Sequence, residues 1–272
     1  VAISSLGQAK KISLKEGVLQ QNHQFRADKL VGFQWIPDTN QYIYLADSWK
    51  KLMTANAVDS KATELVSLTD LNKALGSNLK SFYGINWKNA STFSIADGSK
   101  YYEYSVVSKT GKQIVTVPEN AENATFDDAK ENIAFTENNN LFFLNKNAER
   151  ITVTNETNKA IVSGQFFARS EFGISNGIFW SPKATFLAFY QKDQSQVADY
   201  PLVDITATPG KLDAIKYPMV GQKSENPKVG IYNLATQKTV FITPRGSSDD
   251  YLTNLSWTPD EKYLILAELN RG

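Results

Sequence analysis

Ile178-Phe179-Trp180-Ser181-Pro182 leads into Phe186-Leu187-Ala188-Phe189, and this phrase decides the fold because the chain writes it five times. Phe33-Gln34-Trp35-Ile36-Pro37-Asp38 leads into Tyr42-Ile43-Tyr44-Leu45-Ala46, and Ile85-Asn86-Trp87 into Thr92-Phe93-Ser94-Ile95. Ala124-Thr125-Phe126-Asp127 leads into Asn132-Ile133-Ala134-Phe135, and Leu255-Ser256-Trp257-Thr258-Pro259-Asp260 into Tyr263-Leu264-Ile265-Leu266. Each copy is an aromatic-bearing apolar run, a turn carrying Pro, Asp or Asn, and a second apolar run. That is the pattern of a β-hairpin.

A second hairpin lies between copies. Tyr102-Glu103-Tyr104 returns at Ile114-Val115-Thr116-Val117, Asn140-Leu141-Phe142-Phe143-Leu144 at Arg150-Ile151-Thr152-Val153, and Val229-Gly230-Ile231-Tyr232 at Thr239-Val240-Phe241-Ile242. Two hairpins per repeat make four strands. The aromatic markers Trp35, Trp87, Phe126, Trp180 and Trp257 are 52, 39, 54 and 77 residues apart. Four-stranded repeats of roughly 40–50 residues are propeller blades. The longest gap holds a blade plus an insertion, which falls between Gln191 and Lys228. The expected fold is therefore all-β: a β-propeller of four-stranded blades, forming an incomplete arc of about four to five, with the five markers buried between blades. A β-sandwich of short strands is the competing reading, and the recurrence of the same turn beside the same aromatic counts against it. One helix is expected, over Leu68 to Leu79, where leucines recur three or four residues apart.

Composition excludes more than it proposes. The 272 residues carry 29 Lys+Arg, 28 Asp+Glu, one His and no Cys. A net charge of +1 gives no electrostatic reason to bind nucleic acid. Without cysteine there is no disulfide, thiolate nucleophile or zinc–cysteine site, and one His makes no multi-His metal site. No run approaches a membrane span. The chain begins with Val and stops after the first hairpin of a blade at Trp257, so it reads as trimmed at the start and truncated at the end.

Few residues offer chemistry. Gly173-Ile174-Ser175-Asn176-Gly177 matches G-x-S-x-G, but a nucleophile elbow needs a following helix and a later His. The single His23 precedes it, in a polar stretch, and reads as a surface residue. Asp127-Asp128 and Asp249-Asp250 lack calcium-loop spacing and read as solvated turns. The sequons at Asn89, Asn123, Asn155 and Asn254 carry no weight in so Asn-rich a chain. Glu171 stands out. It lies in Phe166-Phe167-Ala168-Arg169-Ser170-Glu171-Phe172-Gly173-Ile174, just before a blade's inner strand, and an aromatic-flanked carboxylate there can hold an ammonium or pair with Arg169.

The run Arg169-Ser170-Glu171-Phe172-Gly173-Ile174, with Phe179-Trp180-Ser181-Pro182-Lys183, Leu187-Ala188-Phe189-Tyr190 and Asp193-Gln194-Ser195, resembles the dipeptidyl peptidase IV subfamily of the prolyl oligopeptidase clan. Tyr217-Pro218-Met219, Asn226-Pro227-Lys228-Val229 and Leu252-Thr253-Asn254-Leu255-Ser256-Trp257 continue it. It is most similar to bacterial prolyl tripeptidyl and dipeptidyl aminopeptidases, with the match dense from about Gly164 to Arg271 and residues 1 to 163 alike only in repeat style.

The resemblance implies that the whole chain, 1–272, is the N-terminal propeller region of such a protein. In the family an eight-bladed propeller precedes an α/β-hydrolase domain that carries the Ser-Asp-His triad. It implies a serine exopeptidase releasing N-terminal di- or tripeptides, typically after proline. Glu171 would bind the substrate's free N-terminal ammonium, with Arg169 in support. Mammalian members place two adjacent glutamates here; this chain has Ser170 before Glu171, as in the single-glutamate bacterial form. No catalytic residue, metal or cofactor is expected within the 272 residues, so the chain alone should be inactive. The implied partners are peptides with a free N-terminus, and the implied location is periplasmic or secreted; a homodimer is expected on a separate ground, the unpaired strands and apolar blade faces that an open arc leaves at its ends. The alternative is a non-catalytic propeller fragment that binds peptides or proteins.

Overall fold

The computed structural model describes residues 13–18, 29–59, 61–127, 129 and 131–270, without the side chains of Arg169 and Ser170. After a short helix, α1 (Leu14–Val18), strands β1 (Val31–Trp35), β2 (Gln41–Ala46), β3 (Lys51–Asn56) and β4 (Ala62–Ser67) form an antiparallel meander. Helix α2 (Leu68–Leu75) leads to the second such sheet: β5 (Asn86–Asn89), β6 (Thr92–Asp97), β7 (Lys100–Ser105) and β8 (Thr110–Thr116). The third is β9 (Glu122–Phe126), β10 (Ile133–Glu137), β11 (Asn140–Leu144) and β12 (Arg150–Thr152).

The fourth sheet is more complicated. Its first strand is split into β13 (Ile161–Ser163) and β14 (Ile178–Trp180), both of which pair with β15 (Phe186–Asp193). A separate ribbon, β16 (Asp199–Asp204) with β17 (Lys211–Lys216), precedes β18 (Asn226–Asn233) and β19 (Lys238–Ile242). This ribbon is the insertion expected between Gln191 and Lys228. β20 (Tyr251–Trp257) and β21 (Leu264–Leu269) open a fifth blade. The architecture is the expected open arc: four blades and the first hairpin of another.

Helix α2 is shorter than its leucine spacing predicts. Ser67 caps it, its Oγ accepting the Asp70 backbone N–H at 3.1 Å. Gly76 ends it at φ +63, returning its N–H to the Asn72 carbonyl. Leu79 is nonetheless buried, because Asn72 bonds both its backbone N–H and its carbonyl.

The buried side chains fall into four clusters, one at each blade boundary. Ile43 and Leu52 of blade 1 meet Phe93, Ile95 and Tyr104 of blade 2, while Tyr101 and Val115 of blade 2 pack with Ile133, Phe135 and Phe126 of blade 3. Phe143 of blade 3 meets Leu187, Phe189 and Tyr232 of blade 4, and Tyr190 and Val229 meet Tyr251 and Leu252 of blade 5. Stability is thus built between neighbours, as in other repeat arrays.

The five markers do not share one fate, which corrects the expectation that all are buried. Trp87 is buried, Phe126, Trp180 and Trp257 are half-buried, and Trp35 is 54% exposed. The marker packs against the preceding blade. Trp180 Nε1 donates to the Thr125 carbonyl at 2.9 Å, and Trp257 Nε1 donates to the Phe179 carbonyl at 3.1 Å. Thr125 and Phe179 each immediately precede their own blade's marker, so the bond repeats in register. Trp35 belongs to the first described blade. Among the described residues its ring meets its own sheet, edge-on to Phe33 and Tyr42.

Candidate substrate-anchoring site

The site grows out of the split in the first strand of blade 4. Between β13 and β14 the chain leaves the ladder and returns to it at the same rung. Gly164 N–H donates to the Tyr190 carbonyl at 2.8 Å, and the Tyr190 N–H donates to the Gly177 carbonyl at 3.0 Å. Both backbone groups of one β15 residue therefore close the base of a loop, residues 165–176. A side chain on Gly177 would lie 2.4 Å from the Gly164 carbonyl oxygen, so the two loop ends approach this closely only with glycine there. Compact loops with adjoining ends, packed by their own side chains, are frequent carriers of function.

Two buried residues pin the loop, Phe167 and Ile174. Phe167 meets Tyr190 edge-on at 4.9 Å and stacks on Tyr251 at 6.2 Å. Burial pushes the Tyr190 phenol well above its ordinary range. Between the pins runs a 3-10 turn, Ala168–Gly173, with Ala168 at φ +55 and Phe172 at φ +53. Left-handed backbone at non-glycine residues costs roughly 1 kcal/mol each and persists where surroundings enforce it.

Glu171 rides on this turn and is exposed. The Tyr251 hydroxyl donates to its Oε2 at 3.2 Å. The Phe172 ring, 48% exposed, meets the Tyr251 ring at 4.7 Å, and Thr253 Oγ1 donates to the Phe172 carbonyl at 3.2 Å. Blade 5 thus orients the turn that blade 4 projects. A pocket of about 400 Å³ opens beside it, lined by Phe166, Glu171, Lys192, Tyr217, Glu225 and Tyr251 among others. A carboxylate held by a phenol and flanked by aromatic faces suits a small cation.

The sequence pointed to Glu171 but not to its company. Tyr251 and Glu225 each stand one residue upstream of stretches that carry the resemblance, and their contacts with the turn span 80 and 57 residues of chain. Support from Arg169 falls on a side chain outside those described, and His23 and Asp128 lie outside the described residues.

Ser175 is exposed in coil that leads into strand β14, not into a helix. Asp127 and Asp250 are corrected from solvated to buried. Asp127 accepts the backbone N–H groups of Glu131 and Asn132, and Asp250 accepts that of Ser247, so each closes its own turn. Among the described residues no cluster of three His, Cys, Asp or Glu could hold a metal, and no helix is long and apolar enough to cross a membrane.

The sheets define an open β-propeller region, and comparison with known proteins identifies it further. The family model described as the dipeptidyl peptidase IV N-terminal region matches residues 88–272, and the chain belongs to that family. The match begins well before Gly164, so blades 2 and 3 share more than repeat style with the family. A putative dipeptidyl aminopeptidase IV from Bacteroides ovatus is 36% identical in sequence and superposes over 90% of this chain and 34% of its own, with a TM-score of 0.73. Dipeptidyl peptidase 4 from Porphyromonas gingivalis shares the fold at a TM-score of 0.74, over 96% of this chain and 39% of its own, at 21% identity. Dipeptidyl peptidase 4 of Felis catus is 26% identical over 58% of this chain and 23% of its own length. The chain thus spans under a quarter of that relative and about a third of the Bacteroides ovatus protein.

Proposed function

We propose that this chain is the substrate-gating, N-terminus-anchoring propeller part of a serine exopeptidase that releases di- or tripeptides, typically after proline. One observation carries the reading: the first strand of blade 4 is interrupted, at a glycine-closed base, to present Glu171 beside Tyr251 and Phe172. The catalytic serine, aspartate and histidine would come from a hydrolase domain joined to this region. A free substrate ammonium pairs with Glu171, and the distance from Glu171 to the serine sets the length released. A periplasmic or secreted location and a homodimer belong to the same proposal.

The test is Glu171→Gln in the protein that joins this region to its hydrolase domain. With substrate and the hydrolase domain covering the exposed Glu171, losing one partner of the buried charge pair costs about 2–5 kcal/mol, or roughly 30- to several-thousand-fold. kcat/KM should fall by that order for Xaa-Pro or Xaa-Xaa-Pro substrates with a free N-terminus. N-acetylated substrates should be poor for the unmodified enzyme and lose little more in the variant. Equal losses on both would mean that Glu171 serves only the fold.

A further inference from the structure

The pocket holds a second carboxylate, and its bonds assign it a different task. Glu225 lies just ahead of β18, and its side chain is 14% exposed, as is that of Lys192. Its Oε1 accepts the backbone N–H of Ala168 at 2.8 Å. Its Oε2 accepts Gln194 Nε2 at 3.0 Å and lies 3.6 Å from Lys192 Nζ. The same Lys192 Nζ donates to the Phe166 carbonyl at 3.4 Å.

The need for such a residue follows from the turn. The first backbone N–H groups of any helical turn have no partner within it, and a polar side chain at the cap normally serves one. Here the cap residue is Phe167, which offers no acceptor. Glu225 supplies it from the segment just ahead of β18, while Lys192 grips the carbonyl two residues earlier. The pair clamps the chain on both sides of buried Phe167 and holds Ala168 in its left-handed conformation, three residues before Glu171.

We infer that Glu225 is a positioning residue for the Glu171 anchor and not a second ligand for the substrate ammonium. Both of its oxygens are engaged by groups of this chain and Lys192 lies beside its charge, so its bonds are spent on the turn. The inference rests on the anchoring role of Glu171.

A double-mutant cycle in the protein joined to its hydrolase domain tests it, with the free-to-acetylated ratio of kcat/KM as the readout. Glu225→Gln should lower kcat/KM for the free N-terminus about tenfold, the order expected for one charge-assisted hydrogen bond. The loss should appear in KM with kcat kept, and the free-to-acetylated ratio should shrink. In a Glu171→Gln background the same substitution should change that ratio little further. Gln194→Met, which removes one tether and keeps the carboxylate, should act in the same direction by about threefold and covers the case in which Glu225→Gln does not fold.

Additive losses in the double variant would make Glu225 a direct ligand and overturn the inference. A folded Glu225→Gln with an unchanged ratio, beside a Glu171→Gln that loses it, would do the same. A ratio unmoved by Glu171→Gln would overturn the anchoring role itself. Hydrogen exchange at the Ala168 amide separates that failure from this one: it should quicken in Glu225→Gln whatever the substrate does, and unchanged protection would remove the clamp.

Discussion

Blade 4 carries two insertions that solve the same problem in opposite ways. The ribbon β16–β17 pairs its two strands with each other through a six-rung antiparallel ladder, leaves its outer edges to solvent, and buries none of its twelve strand residues. Its side chains interact mainly with one another and with its own base, as where Lys216 reaches Asp199 and the Val197 carbonyl. The loop 165–176 has no ladder. Its ends are tied to Tyr190, Phe167 and Ile174 enter the core between blades 4 and 5, and its turn is held by Glu225 and Tyr251. The ribbon can change without the blade noticing, whereas the loop is part of the blade. The pocket lies where the two meet, so its walls inherit rigidity from one side and exposure from the other.

The sharpest way to break this contrast is at the loop's base. Gly177→Val forces a side chain against the Gly164 carbonyl, and it should destabilise the protein by about 3 kcal/mol or more in urea unfolding. A melt within error of the parent would show that the base is not under steric constraint. Phe167→Ala should cost about 3 kcal/mol, the lower end for a truncated buried phenylalanine. Leu202→Ala, in the ribbon, should stay within about 0.5 kcal/mol of the parent. If the two shift the denaturation midpoint alike, the distinction between insertions fails.

A smaller effect is expected where the loop's blade meets the next one. Trp257→Phe keeps the ring stacked on Phe186 but removes the bond to the Phe179 carbonyl, at a cost of about 1 kcal/mol. Comparing Trp180→Phe on the other side of blade 4 tests whether the two indole bonds are equivalent.

The smallest effect is a pH dependence that leaves both insertions alone. Glu261 of blade 5 clasps the β14–β15 turn of blade 4. Partial burial pushes its carboxyl up, but hydrogen bonds from Ser181 and Thr185 and from the Lys183 backbone together hold it below its ordinary value of 4.5. A lowered carboxylate pKa stabilises the folded state above the unfolded value, and that contribution fades as pH falls through the folded value. Melting temperature should therefore drop on acidification below about pH 4.5 more steeply in the parent than in Glu261→Gln. Parallel curves would show that the clasp makes no net contribution.

The blade was legible in the sequence. An aromatic run, a Pro/Asp turn and a second apolar run are local signals, because a hairpin pairs residues that are close in the chain. The same locality made the ribbon legible as an insertion. Glu171 could be singled out because its neighbours in the chain are aromatic. Tertiary structure alone decided the rest. How far each marker aromatic is covered depends on what packs against it, and Trp35 and Trp87 look alike until their neighbours are in place. Asp127 and Asp250 could not be told from solvated turn residues, since burial is a property of what packs over them. Tyr251 and Glu225 reach the site only when blade 5 docks on blade 4 and β18 pairs with β15. These contacts join residues distant in sequence, for which no period or spacing in the chain gives a signal.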